Sequence, residues 1–404
     1  MMNKKGVIFL NEISKLNSNE QRWNPYTWYK EMRENNPVFF DEGQKVWNVF
    51  RYDDVKRVLS DFEHFSSERD RSLIPIPTNN GGINLLFSDP PEHRNRRGLL
   101  AKAFTPRNLE SWRPRIQSVV DMLIEKITEE DTSKPLDIVK NFAAPLPVTI
   151  IADLLGVPNK DWSTIKEWSD ILFLPHYEKG IEELTKLKNE TMQTFANYLL
   201  PLVKHKRNHP QDDILSDLTQ VEFEGKRLTD MQVVYTGIGL LGAGNETTTT
   251  LLTLFFYSLI EEEKYTEIKK NPELIPKAME EVLRHRFIIN LDRMVKKDTP
   301  ILGTPMKKGD MIVAWIASAN RDQRHFKNPE VFDINRSNNR NHLTFGNGHH
   351  SCLGSQLARL ETEIAMTTFI NRFSEIHFAP NFQPENNLIP HGSKLAYLPI
   401  TIKL

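Results

Sequence analysis

The sequence predicts a mainly α-helical protein with a smaller β-rich part, an α+β fold. Apolar residues recur at helical spacing through the middle and C-terminal thirds of the chain. Runs at 47–50, 311–315 and 395–402 are rich in β-branched, aromatic and other apolar residues and are typical of strands. No internal repeat and no low-complexity linker is visible, and a length of 404 residues permits either two or three domains or one large unit.

Composition and charge exclude several classes of protein. The chain has 52 Lys and Arg against 53 Asp and Glu, so its balanced charge argues against nucleic-acid binding. The apolar stretch near the N-terminus is too short for a secretory signal, and the tract 251–260 is shorter than the roughly 20 residues that cross a bilayer. We therefore expect a cytoplasmic protein without a membrane partner. The sequence shows no phosphate-binding glycine fingerprint, so it gives no sign of a fused reductase domain.

One long helix is predicted from a capping box at Thr229 and Gln232 to about Glu261. At 1.5 Å per residue, this helix is about 50 Å long. Its middle, residues 242–250, contains two glycines, one glutamate and four threonines, which are poor residues for a helix interior. Threonine hydroxyls can bond backbone carbonyls, bend the helix and open room for water or a small ligand. A surface-facing polar patch or a simple kink would explain the same segment.

The single cysteine, Cys352, follows a glycine-rich turn and precedes a helical pattern. Its sulfur is therefore expected at a helix N-terminus, where free N–H groups and the helix dipole stabilise negative charge. This placement suits a thiolate that binds a metal. Two alternatives are a buried free cysteine that acts as a small hydrophobe and a zinc site made by His349, His350 and Cys352.

The complete run 345–354 resembles the haem-binding loop of the cytochrome P450 family. Phe, Gly, Gly, His, Cys and Gly stand at positions 345, 346, 348, 350, 352 and 354. Three further motifs resemble that family in the correct order, and the resemblance spans about residues 20–400. It implies that residues 1–404 form a single domain with the cytochrome P450 fold, in which haem b lies between the long helix and the helix after the cysteine. It also implies that Cys352 is the axial ligand of the iron.

The segment 243–248 resembles the oxygen-activation segment of the same family. By this resemblance, Thr247 donates a hydrogen bond to dioxygen and Glu246 helps to relay protons from solvent. Cleavage of the O–O bond consumes protons, so a hydroxyl and a carboxylate suit that chemistry. Glu246 stands where many bacterial members have aspartate.

The resemblance also implies the residues that hold the haem and its loop. Haem propionates are carboxylates in an apolar slot and need cationic partners. The implied haem-binding set is His93, Arg97, Ala243, Arg293, Phe345, Gly346, His350 and Cys352. A second set is structural and fixes the cysteine loop: Glu281 and Arg284, three apart on one helix face, together with Arg336.

A substrate cavity is implied on the opposite side of the haem. Its expected walls are Ile83, Leu86, Gly239, Ala243, Ile289 and Leu395. These residues are aliphatic or very small, which predicts a roomy apolar cavity and a hydrophobic substrate of the steroid, terpenoid or fatty-acid kind.

The implied activity is that of a monooxygenase, which inserts one oxygen atom from O2 into its substrate. A ferredoxin or flavodoxin with its reductase would supply the electrons, and Arg94 and Arg96 are candidates for contact with such an acidic partner. Three alternatives remain: a peroxide-driven peroxygenase, a non-enzymatic haem sensor or carrier, and a haem-free structural protein. The intact pair Glu246 and Thr247 favours the oxygen-dependent enzyme.

Overall fold

The computed structural model describes residues 14–69, 72, 83, 85–101, 104–131, 134–174, 181–223, 225–389 and 392–404. Helices make up most of this part of the chain, and a small set of strands accompanies them, so the predicted fold class is confirmed. No helix in the described ranges combines the length and the apolar character needed to cross a bilayer.

The helices follow one another with few interruptions. They are α1 (Asn19–Trp23), α2 (Tyr26–Asn35), α3 (Tyr52–Ser60), α4 (Glu92–Ala101), α5 (Pro106–Glu129), α6 (Pro145–Leu154), α7 (Trp162–Phe173), α8 (Ile181–Asn208), α9 (Ile214–Gln220), α10 (Asp230–Glu261), α11 (Tyr265–Lys270), α12 (Ile275–His285), α13 (Ile316–Ala319) and α14 (Ser355–Arg372).

Within the described residues, the strands form three small sheets. They are β1 (Val38–Asp41), β2 (Val46–Val49), β3 (Phe65–Ser66), β4 (Leu136–Asp137), β5 (Glu222–Phe223), β6 (Lys226–Arg227), β7 (Leu291–Val295), β8 (Met311–Ala314), β9 (Glu375–Phe378) and β10 (Pro399–Lys403). The largest sheet has the order β1-β2-β8-β7-β3, in which only β2 and β8 are parallel. The others are β4-β10-β9 and β5-β6.

The strand predicted over 395–402 is wrong in its first half. Only Pro399–Lys403 pairs as a strand, while Leu395 forms an isolated bridge with Leu388. The reason is a local hairpin, in which the N–H of Ile389 donates to the carbonyl of Lys394 and the N–H of Ala396 donates to that of Asn387. The other two strand predictions match β2 and β8 to within one residue.

The long helix is α10, and its predicted capping box is present. The Thr229 hydroxyl accepts from the N–H of Gln232, and the Gln232 side chain accepts from the N–H of Thr229. The helix continues through its polar middle, where threonine hydroxyls bond carbonyls one turn earlier. Thr247 donates to Ala243 O at 2.8 Å and Thr249 to Asn245 O at 3.0 Å. Helices α6, α7, α8, α12 and α14 pack around α10.

Candidate active site

One face of α10 is open although the helix runs through the protein core. Gly239, Ala243 and Thr247 are exposed and lie four residues apart, hence on one face. The neighbouring Gly242, Asn245 and Thr248 are buried. A Cβ added at Gly239 would meet no atom within 4 Å. A stripe of small residues and one hydroxyl therefore borders free space at the middle of the helix.

Cys352 also borders internal space. The residue is exposed, yet burial raises the pKa of its thiol, so the space that it borders is largely enclosed by protein. The backbone N–H groups of Gly354 and Ser355 donate to the sulfur and, with Arg97 and Arg359, oppose this rise in the pKa without cancelling it. Helix α14 begins three residues after the cysteine, as expected for a thiolate stabilised near a helix N-terminus.

The glycines of the cysteine loop allow its turns. Gly346 and Gly348 have φ values of 73° and 72°, a region that other residues rarely adopt. A Cβ on Gly348 would come within 2.9 Å of Ser60, so the loop packs tightly against α3. The N–H of Cys352 donates to the carbonyl of Phe345 at 2.7 Å, and the Arg359 guanidinium lies 4.5 Å from the Phe345 ring centroid.

Glu281, Arg284 and Arg336 form one buried, hydrogen-bonded cluster. Glu281 accepts two hydrogen bonds from Arg284, at 2.8 and 2.7 Å, and one from Arg336 at 3.3 Å. Arg284 also donates to the carbonyl of Asn320. The Asn320 side chain in turn bonds the backbone N–H of Leu343 and the hydroxyl of Thr344. The cluster is thereby connected to the start of the cysteine loop.

A second buried acid beside Glu281 is missing from the sequence predictions. Glu280 accepts from His342 at 2.9 Å and from Arg359 at 2.6 Å, which joins α12 to both sides of the cysteine loop. Burial acts to raise the pKa of Glu280, but the bonds from His342 and Arg359 outweigh it and lower that pKa to about 2. The adjacent acids Glu280 and Glu281 were the available signal, but their different partners arise only in the folded chain.

Basic residues from three elements meet near the cysteine loop. His93 and Arg97 lie on α4, Arg293 on β7 and His350 in the loop, and the rings of His93 and His350 are 4.0 Å apart. Burial and the nearby cations Arg97 and Arg293 contribute to lowering the pKa of His93 to about 4, and burial lowers that of Arg293 to about 10. The Nε2 atom of His93 is buried without a hydrogen-bond partner. This cluster has the charge and the free bonding capacity to receive carboxylates.

The structure does not place Cys352 in a zinc site with His349 and His350. Within the described ranges, one group of side chains brings its ligand atoms close enough for a metal ion, and it consists of Asp89, His349 and His350. Cys352 is not a member. Asp89 also accepts hydrogen bonds from Ser66 and Ser67.

Glu246 has a partner that the sequence did not indicate. Lys394 donates from Nζ to Glu246 Oε1 at 2.5 Å, across 148 residues of chain. The lysine lies in the hairpin that precedes β10, and no spacing or motif signals this contact. It is a product of the tertiary fold.

Comparison with known proteins identifies the family. A family model described as Cytochrome P450 matches residues 3–404. Cytochrome P450(MEG) of Priestia megaterium is 47% identical over 407 residues, which covers 98% of each chain. Cytochrome P450(BM-1) of the same species is 44% identical over 412 residues, and the alignment covers 99% of this chain and 100% of the relative. The chain belongs to the cytochrome P450 family. It is therefore a haem-dependent monooxygenase.

Solved structures agree with this assignment of the P450 fold. CYP109E1 from Bacillus megaterium in complex with testosterone has a TM-score of 0.87 and 38% identity, with 96% of this chain and 100% of that chain covered. The same enzyme in complex with corticosterone has a TM-score of 0.84 and the same identity, with 95% and 100% covered.

The described residues of this P450 fit a haem group. Cys352 offers a sulfur with two N–H donors, and the open stripe of α10 offers a wall of small side chains. The cluster of His93, Arg97, Arg293 and His350 suits two propionates, since it holds a buried imidazole nitrogen that lacks a partner.

The expected pocket walls of this P450 are only partly described. The N–H of Ile83 donates to the Thr236 hydroxyl at 3.0 Å, which connects this residue of the long loop to α10. Leu395 is buried and Leu86 is half-exposed. Ile83 and Ile289 pack against the core cluster that includes Leu395. Most of the predicted loop between Ser66 and Asp89 lies outside the described residues.

Proposed function

We propose that this P450 inserts one oxygen atom from O2 into a C–H bond of a hydrophobic, steroid-sized substrate. The observation that carries the proposal is the open stripe of Gly239, Ala243 and Thr247 on α10. Its small side chains leave space for a bulky ligand, and its one hydroxyl lies next to Glu246. Apolar surroundings with few polar groups favour a hydrophobic substrate.

The ligands of similar solved structures favour a steroid over a terpenoid or a fatty acid as the substrate. CYP109E1 was solved with testosterone and with corticosterone, and this chain is 38% identical to it over nearly the whole length. No positive charge among the proposed walls suits the carboxylate of a fatty acid. Testosterone is therefore the first ligand to test.

The cofactor is proposed to be haem b, held by Cys352. Covalent haem of the c type is attached through a C-x-x-C-H motif, and this chain has a single cysteine. When bound, haem supplies the redox centre for oxygen activation, and a thiolate ligand increases electron density at the iron. The N–H groups of Gly354 and Ser355 stabilise the thiolate form of Cys352.

Thr247 and Glu246 are proposed to move protons. The Thr247 hydroxyl donates to Ala243 O at 2.8 Å, and rotation of the hydroxyl hydrogen would point it into the open space. Glu246 is the adjacent acid and is about one-quarter exposed, so it is placed to exchange protons with water. Their proposed roles are those of hydrogen-bond donor and proton relay.

Electrons are proposed to come from a ferredoxin or flavodoxin with its reductase. Arg94 on α4 is exposed, whereas Arg96 is partly buried and pairs with Glu92. Arg94 is therefore the better candidate for contact with an acidic redox protein. The cytoplasmic location remains a prediction.

The test is a reconstitution with testosterone and separate surrogate ferredoxin and flavodoxin systems. We expect hydroxylated product that depends on O2, reductant and redox protein. Equal product from peroxide alone would instead support the peroxygenase. A normal haem spectrum with no product from any of a panel of steroids, terpenoids and fatty acids would support the sensor or carrier.

A further inference from the structure

Two distant parts of the chain meet at Glu246. The Lys394–Glu246 contact at 2.5 Å joins the middle of α10 to the hairpin that precedes β10. Both side chains are mostly buried, with 29% of Lys394 and 25% of Glu246 exposed. An ion pair with this degree of burial is held more firmly than a pair on the open surface.

The backbone around Lys394 is fixed by hydrogen bonds. The carbonyl of Lys394 accepts from Ile389 at 2.8 Å, and Ala396 donates to Asn387 at 2.7 Å. Arg22 reaches the same hairpin from α1 and donates to the carbonyl of Gly392. The ammonium group of Lys394 therefore extends from an anchored position, and a movement of the hairpin would move the ammonium group.

The residue after Lys394 is one of the proposed substrate contacts. Leu395 is buried, bridges to Leu388 and belongs to the core cluster against which Ile83 and Ile289 pack. Substrate that presses on Leu395 would act on the hairpin one residue away from the ion pair. The hairpin thus connects the proposed pocket to the acid.

Helix geometry makes the orientation of Glu246 important. Neighbouring residues on an α-helix point about 100° apart, so Glu246 and Thr247 leave α10 in different directions. The lysine therefore sets the position from which the acid exchanges its proton. A second cation is close enough to interact with Glu246: burial lowers the pKa of Lys188 to about 8, and Glu246 opposes that shift. Lys188 donates instead to the carbonyl of Leu174.

We propose that Lys394 is a positioning residue for Glu246 that links contact of substrate with the C-terminal hairpin to proton delivery. This inference rests on the proposed function, because it requires Glu246 to serve as the proton relay. Lys394 acts only through the carboxylate that it holds, so its removal should leave the haem spectrum unchanged.

The experiment compares the holoenzyme with the variants Lys394→Gln, Lys394→Met and Lys394→Arg. Lys403→Gln is the matched control, because Lys403 also pairs with a carboxylate, Glu375, at 3.2 Å on the C-terminal strands. Three quantities are measured: product per electron pair with testosterone, the dissociation constant of testosterone from its spin-state titration, and hydrogen exchange of a hairpin peptide ending at Leu398.

We expect both neutral variants to lower product per electron pair by about two- to five-fold, the factor that corresponds to loss of one partly exposed ion pair. Hairpin exchange should become faster, and the testosterone dissociation constant should rise. Lys394→Arg should restore most of the coupling, and Lys403→Gln should match the wild type.

A Glu246→Gln variant separates failure of this inference from failure of the proposed function. If Glu246→Gln loses coupling while both neutral Lys394 variants keep wild-type coupling and hairpin exchange, the role of Lys394 is overturned and that of Glu246 stands. If Glu246→Gln itself stays fully coupled, the proposed relay is overturned, and the inference about Lys394 fails with it.

Discussion

Arg284 and Glu281 form a two-point ion pair in which both side chains are completely buried. Arg336 donates to the same carboxylate, and further bonds of Arg284 reach the backbone at Asn320 and Pro329. All three charged groups thus have partners inside the protein. Breaking such a cluster is costly because it leaves an uncompensated charge where water cannot reach it.

Arg284→Ala should therefore destabilise the protein strongly. We expect a loss of about 3–5 kcal/mol in the free energy of unfolding, because Glu281 would remain buried without its main partner. Chemical denaturation monitored by circular dichroism measures the free energy of unfolding, and the haem content of the purified variant shows whether the cysteine loop is intact. The control is Lys307→Gln, which removes the exposed partner of Asp298. Equal stability of Arg284→Ala and this control would contradict the structural role of the cluster.

Glu280 should make the protein sensitive to acid. Its pKa is about 2 in the folded chain against an ordinary value of 4.5. A carboxyl whose pKa is depressed in the folded state stabilises that state above pH 4.5, and this stabilisation is lost as the pH falls towards 2. The contribution to the free energy of unfolding is on the order of 3 kcal/mol. Glu280→Gln should lose stability at pH 7, and its difference from wild type should shrink at pH 3. The exposed Glu375→Gln should show no such convergence, and a constant difference for Glu280→Gln would refute the assignment.

Cys352→Ala should abolish the red-shifted absorption band of the reduced carbon monoxide complex. That band depends on a thiolate bound to haem iron, and the chain has no other cysteine. Ser351→Ala, which alters the neighbouring residue, should keep the band. Difference spectra of the two purified variants make the test, and survival of the band in Cys352→Ala would disprove the proposed ligand.

Thr247→Ala should keep the haem and divert electrons to peroxide or water. We expect product per electron pair to fall about ten-fold or more; a positioned proton donor typically contributes about 10²–10⁴-fold in rate. Thr249→Ala is the matched control, because Thr249 makes the same bond to a carbonyl one turn earlier but lies off the open stripe. Peroxide release is measured alongside product. Equal coupling in the two variants would count against the role of Thr247.

Two nearby glycines of α10 should respond differently to substitution by valine. Gly239 has open space where a side chain would grow, so Gly239→Val should fold normally and weaken binding of a steroid. A Cβ at Gly237 would meet Leu215 at 2.9 Å, so Gly237→Val should lower the melting temperature by overpacking. Spin-state titrations with testosterone and thermal melts test both. Unchanged testosterone affinity in Gly239→Val would place the pocket elsewhere.

Motifs with local chemistry could be predicted well from the sequence. The capping box fixed the start of α10 at Asp230, because it depends on residues three apart. The surroundings of Cys352 were also predictable, since nearby amides and glycine turns determine them. The strand prediction around Leu395 failed because β-propensity does not distinguish a hairpin that pairs with itself from a strand that pairs with a sheet.

The sequence alone determined the fold class, the family resemblance and the residues gathered in the cysteine loop, because each of these depends on residues close together in the chain. The grouping of Glu281 with Arg284 and Arg336 was also predicted, and the structure brings these three residues together. Only the tertiary structure decided the partners of the other two acids: Glu280 contacts His342 and Arg359, and Glu246 contacts Lys394. These contacts join charges that are mostly far apart in sequence, and which charges meet depends on how the packed helices and hairpins turn their side chains towards one another.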